Sequence, residues 1–173
     1  MPERPLILDA CIVITFGREE QLELVTLGAR GVVIGRRARE EVERAPARPQ
    51  LDEAIRNGSV DVETANLEDP GEQEALARYD GMPAFEGRGD AEVIALAVSR
   101  GYIVCSDDRA IRKQVREDLG SERFAGTLDL LVWAVRDGRL ELGTALDFLE
   151  ASDVGPALLR ALEARGTSLE DLV

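Results

Sequence analysis

The chain has 173 residues, 45% of them apolar, which is enough for one domain with a real core and too apolar for a disordered polymer. Lys and Arg number 21 against 34 Asp and Glu, so a net charge of −13 excludes a strong nonspecific nucleic-acid binder held by a basic surface. There is no histidine, which excludes a Ser-His-Asp triad, a Cys-His dyad and metal-free histidine acid/base cleavage of RNA.

The expected elements run in this order. "PLILDA" is a short apolar strand ending at Asp9, and "CIVITFG" with "REEQLELVTLGARG" is helical material carried to a glycine stop. "VVIG" is a second short strand, and "RRAREEVERA" a charged helix with apolar positions Ala38, Val42 and Ala45. Pro46 and Pro49 punctuate before a short helix, "QLDEAIRNG", and the alternation of Val60 and Val62 makes "SVDVET" a strand. "DPGEQEALARYDGM" is a helix with a proline near its start, and "FEGRG" is a loop.

"DAEVIALAVSRG" is the clearest helix, with an apolar stripe at Val93, Ile94, Ala97 and Val98 and a stop at Gly101. The strand "YIVCS" follows, then the helix "DDRAIRKQVREDLG", a last short strand "ERFAG", and the helix "TLDLLVWAVRDG" with Thr127 as its cap. Two more helical pieces, "LGTALDFLEAS" and "VGPALLRALEARG", lead to a loose tail. Strands alternating with helices predict an α/β fold with a mainly parallel sheet covered on both faces. No linker is evident, so residues 1–173 read as a single domain, with a core over about 5–137 and a C-terminal helical extension over about 138–173.

Several chemistries drop out on the way. No apolar run reaches the roughly 18 residues of a membrane span, and "MPERPLILDACIVITFG" carries acids without a basic n-region, so a cytoplasmic protein is expected. Cys11 and Cys105 suit a reducing compartment and read as small buried residues; without histidine they cannot complete a structural zinc site. The single lysine, Lys113, lies outside any G-x-x-x-x-G-K-[ST] loop. Catalysis is left to carboxylates, arginines, hydroxyls or thiols, with a metal.

Carboxylates stand where such a site forms. In an open parallel sheet the ligand crevice lies at the carboxyl ends of the strands, and Asp9 and the Asp107/Asp108 pair both fall at a strand end. Glu41, in the helix after the second strand, and Asp90, at the start of the clearest helix, can reach the same edge. Like charges so gathered raise one another's pKa, and a hard divalent cation with oxygen ligands, Mg²⁺ or Mn²⁺, relieves them. Taken singly, Asp90 can be a helix cap, Glu41 a solvated charge, and Asp107 and Asp108 a helix start favoured by the macrodipole.

Here the residues resemble a known family. "LILDACIVI", "RAREEV", "GDAEVIALAVSRGYIVCSDDR" and "GTLDLLVWAVRDGRL" occur in the order of the PIN domain, the metal-dependent nuclease fold used by the toxin half of VapBC toxin and antitoxin pairs. The likeness runs over roughly residues 5 to 165 and implies a three-layer PIN-like fold. It carries Asp9, Glu41, Asp90 and Asp108 onto the family's four metal-site acids, with Asp107 an adjacent candidate, Glu40 an alternative to Glu41, and Glu92 a supporting residue. Ser106 matches a position where the family commonly has a hydroxyl. The chain departs from the family after the first acid, where Ala10 and Cys11 stand in place of the frequent Thr-Ser or Thr-Asn.

The resemblance implies an endoribonuclease that hydrolyses RNA phosphodiesters with a metal-activated water, leaving a 5′-phosphate and a 3′-hydroxyl. Arg88 and Arg109, with Arg112 and Lys113 on the following helix, are candidates for backbone-phosphate contacts or plain surface charges. It also implies an antitoxin that enters the acidic site with a basic side chain, and a homodimer. Three alternatives stand beside it: a phospho-receiver, which carries its acidic pair after the first strand and a late lysine, a noncatalytic metal sensor, and a catalytically inactive PIN-like domain that binds protein.

Overall fold

In the computed structural model, residues 3–26, 29–43 and 46–173 are described. Five strands form one all-parallel sheet: β1 (Leu6–Leu8), β2 (Val32–Gly35), β3 (Asp61–Glu63), β4 (Ile103–Cys105) and β5 (Phe124–Ala125), in the order β3-β2-β1-β4-β5. The ten α-helices among the described residues flank it in a three-layer α/β arrangement. They are α1 (Ala10–Arg18), α2 (Glu23–Thr26), α3 (Arg36–Glu41), α4 (Ala47–Arg56), α5 (Pro70–Asp80), α6 (Gly89–Arg100), α7 (Arg109–Leu119), α8 (Thr127–Arg136), α9 (Leu142–Ala151) and α10 (Gly155–Glu163).

The three inner strands are buried throughout, as expected of a parallel sheet covered on both faces, where continuous apolar runs replace alternation. β3 is an edge strand and behaves differently: Val60 is buried, whereas Val62 is exposed. The chain adds strands on one side of β1 as far as β3, then crosses to lay β4 and β5 on the other. That reversal makes the gap between the carboxyl ends of β1 and β4 the topological switch point. The register sets Leu8 beside Cys105, so Asp9 and Ser106 emerge together, and Asp9 N–H donates to the Cys105 carbonyl at 3.0 Å.

Several local expectations are corrected. The charged helix of "RRAREEVERA" ends at Glu41; Val42 is buried beyond it, and Ala45 lies outside the described residues. α4 begins ahead of Pro49, which sits in the first turn, where the missing N–H leaves no bond unmade. α6 is not a striped surface helix: Gly89 through Ala97 are all buried, and Val98, assigned to the stripe, is 37% exposed. Its stop is as read, with Gly101 in the left-handed region at φ 79°. Thr127 is the first residue of α8, and Gly126 is the N-cap. The tail is not loose along its length, since Leu169 is buried against the core and a 3₁₀ turn follows it.

The C-terminal helices share the main core. Phe148 of α9 meets Phe16 of α1 at a centroid distance of 4.8 Å, an aromatic contact favoured beyond its apolar area. No helix is long and apolar enough to cross a membrane among the described residues.

Candidate functional site

Asp9 follows the last residue of β1 and is the N-cap of α1, yet its side chain caps nothing. The carboxylate turns instead toward β4: Oδ2 accepts from Ser106 Oγ at 2.7 Å and from Cys11 Sγ at 2.8 Å. Ser106 in turn accepts from Asp108 N–H at 3.0 Å, and Cys11 Sγ accepts from Asp107 N–H at 3.3 Å. The two loops at the switch point are thereby laced together through Asp9. Cys11, where Ser or Asn was expected from the resemblance, still makes a polar contact to Asp9. Burial first, then the charge and hydrogen bond of Asp9, push its thiol well above the ordinary range, so it stays protonated and donates. Cys105 is fully buried, and that burial raises its thiol likewise.

The adjacent pair divides. Asp108 is the N-cap of α7, and its Oδ1 accepts from Ala110 N–H at 2.6 Å and Ile111 N–H at 3.2 Å. Asp107 turns to a different helix: Oδ1 accepts from Thr127 N–H at 3.0 Å and Oδ2 from Thr127 Oγ1 at 2.6 Å. Thr127, read as a cap, is the anchor that draws Asp107 away. No local pattern announces that bond, because its partners are 20 residues apart.

Glu41 closes α3 and reaches the start of α6, where Oε1 accepts from Gly89 N–H at 2.7 Å. Only glycine allows this approach: a Cβ on Gly89 would lie 2.8 Å from Ala38 N and 2.9 Å from Ala38 Cα. Glu40 is exposed and makes no such contact. α6 then carries two buried acids. Glu92 is spoken for, since Oε2 accepts from Arg37 N–H at 2.8 Å and Oε1 from Thr64 Oγ1 at 3.0 Å.

Asp90 is 3% exposed, and its Oδ2 has no hydrogen-bond partner. Arg88 Nε stands 3.1 Å from that atom, an ion contact without hydrogen-bond alignment. Desolvation, followed by the charges of Asp9, Glu41 and Asp108 against the opposing pull of Arg88, pushes the Asp90 carboxyl up to about 6. Asp90 thus lies close enough to Asp9, Glu41 and Asp108 to feel the charge of each.

Among the remaining candidates, Arg109 is the exposed first residue of α7. Arg112 stacks over the Phe124 ring at 5.2 Å, and Lys113 pairs at 3.8 Å with Glu117 on its own helix.

The donor set fits a hard divalent ion. It is all oxygen, it includes a buried oxygen without a partner, and the fold engages one oxygen each of Asp9, Glu41 and Asp108 while making no hydrogen bond to the other among the described residues. No three acids, cysteines or histidines close into a cage among the described residues. An ion here would therefore take one or two of these carboxylates directly and fill the rest of its shell with water or phosphate.

A family model described as a PIN domain matches residues 5–154. No curated protein matches the chain.

Proposed function

The chain belongs to the PIN-domain family, whose members are generally nucleases, and on that premise we propose that it is a divalent-metal-dependent endoribonuclease, the toxin of a toxin and antitoxin pair. The observation that carries the reading is Asp90: a buried carboxylate with an unsatisfied oxygen, pressed by Asp9, Glu41 and Asp108 at the switch point of a parallel sheet. Those four acids would share Mg²⁺ or Mn²⁺ among them, one or two of them as direct ligands and the rest by their charge. Bound there, the ion supplies a water of lowered pKa and positive charge against the scissile phosphate.

The chain's own residues do the rest. Ser106 and Cys11 orient Asp9 through its Oδ2, leaving Oδ1 for the site. The cap bonds to Asp108 Oδ1 do the same for Oδ2, and Gly89 N–H sets Glu41. These bonds are made before substrate arrives, so little reorganisation is left for the reaction. Arg88 and Arg109 meet backbone phosphate at the rim, a local exception to the net charge of −13. A cognate antitoxin restrains the enzyme by presenting a basic side chain to the acids, a homodimer is its working form, and the cytoplasm is its compartment.

Incubation with mixed RNAs and Mg²⁺ or Mn²⁺ tests the reading. Cleavage leaving 5′-phosphate and 3′-hydroxyl ends, blocked by chelator and by Asp9→Asn, is expected. The competing reading, an inactive protein-binding PIN domain, draws on the negative charge and on Ala10 and Cys11 in place of Thr-Ser or Thr-Asn. A folded protein that cleaves no RNA at millimolar metal would favour it.

A further inference from the structure

Two arginine-to-carboxylate contacts in this chain differ in kind. Arg100 donates from Nε to Glu72 Oε1 at 2.7 Å and from NH2 to Oε2 at 2.8 Å, and from NH1 to Glu63 at 2.6 Å. This aligned, two-pronged arrangement, with the arginine side chain 27% exposed, is how the fold makes a permanent pair. Arg88 and Asp90 share none of that. The Arg88 side chain is 55% exposed, its partner's is 4% exposed, and the 3.1 Å contact comes from Nε without hydrogen-bond alignment, so Asp90 Oδ2 stays unsatisfied. A second nitrogen, NH1, reaches back to the Ala84 carbonyl at a long 3.4 Å.

We infer that Arg88 is a resident counter-charge for Asp90, which a divalent cation displaces on binding and which is then left at the rim to receive a phosphate of the RNA backbone. The inference rests on the proposed nuclease reading and assigns Arg88 a place in it. Leaving costs the guanidinium little, since it is already half in water, gives up no aligned bond to Asp90 and only a long one to the Ala84 carbonyl. Staying would place two cations on one carboxylate. Arg88 is also the N-cap of α6, two positions before Asp90, so displacement needs only a side-chain rotation and the phosphate contact arises beside the acid that holds the ion.

The test is a titration of the metal-free protein with Mn²⁺ alone, followed by the rise in melting temperature and by calorimetry, for wild type, Arg88→Gln, Arg88→Lys and Asp90→Asn. Arg88→Gln is expected to bind Mn²⁺ about three- to tenfold more tightly than wild type, and Arg88→Lys, which keeps the charge, to stay near wild type. At saturating Mn²⁺, the KM of Arg88→Gln for a short RNA should rise by about the same factor, with a smaller change in kcat. Equal or weaker Mn²⁺ binding by Arg88→Gln overturns the inference. A wild type that shows no Mn²⁺ response overturns both the inference and the metal site beneath it. Mn²⁺ binding that separates Arg88→Gln from wild type, with no RNA cleaved, supports the counter-charge and overturns only the phosphate role and the nuclease reading.

Discussion

Asp90 and Glu92 stand two residues apart in α6 and are equally withdrawn from water, at 3% and 2% exposure. Glu92 receives a hydrogen bond on each oxygen and thereby ties the start of α3 to the residue after β3. Asp90 receives none on Oδ2 and faces three other acids. Burial therefore does not distinguish a carboxylate the fold has bonded on both oxygens from one it has not; the supply of donors does. Where the fold satisfies both oxygens the charge is spent on architecture; Asp90 Oδ2 is met only by the unaligned contact of Arg88, which on the proposed reading keeps it for a cation.

The comparison is sharpened most by activity. Asp90→Asn should lower metal-dependent RNA cleavage by at least about a hundredfold, roughly 2.7 kcal/mol of transition-state stabilisation, and Asp108→Asn should do likewise. Glu92→Gln, measured per folded molecule, should change cleavage by less than about threefold. Equal losses at Asp90 and Glu92 would erase the distinction.

Next comes pH. The Asp90 carboxyl sits near 6 in the folded chain and near 3.8 in the unfolded one. Its ionisation is thus the unfavourable step: stability is fully present below about 4 and is lost as pH rises through about 6. Metal-free wild type should lose about 2 kcal/mol across that window relative to Asp90→Asn, discounted for titration shared among the coupled acids. Saturating Mg²⁺ should abolish the loss. Denaturant melts at pH 4, 5, 6 and 7 measure both, and parallel wild-type and Asp90→Asn curves would show that the buried charge carries no strain.

Glu92→Gln should cost about 1.5 kcal/mol of stability at pH 7, because the two bonds lose the carboxylate's charge and the Thr64 hydroxyl must turn from donor to acceptor to meet the new amide N–H. Chemical denaturation reads this directly, and an unchanged midpoint would show that the two bonds to Glu92 do not stabilise the fold. The smallest effect belongs to the other acid spent on architecture. Asp107→Asn should remove about 1 kcal/mol through its two bonds to Thr127, with cleavage largely kept. If Asp107→Asn were instead the dead variant of the adjacent pair, the roles given to Asp107 and Asp108 would be reversed.

What the sequence by itself determined lies in local periodicity. Apolar runs that stop at an acid mark β1 and β4, a glycine closes α6, and an acidic pair before a basic helical pattern marks the start of α7, because strand burial and capping depend on residues within a few positions of one another. Which acid of the pair caps is not in that pattern, and the cap is Asp108, the one the family likeness assigns to the metal, not Asp107. The same locality explains the misreadings: a hydroxyl ahead of an apolar run looked like a cap at Thr127, and small apolar residues in α6 looked like one face of a helix buried on every side. Only the tertiary structure decided the fate of each acid. Asp9 meets Ser106 across 97 residues, Glu41 meets Gly89 across 48, Asp107 is claimed by Thr127, and Glu92 is satisfied while Asp90 is not. A carboxylate's task follows from the donors that reach it, and here those donors arrive from distant segments once the sheet has set β1 beside β4.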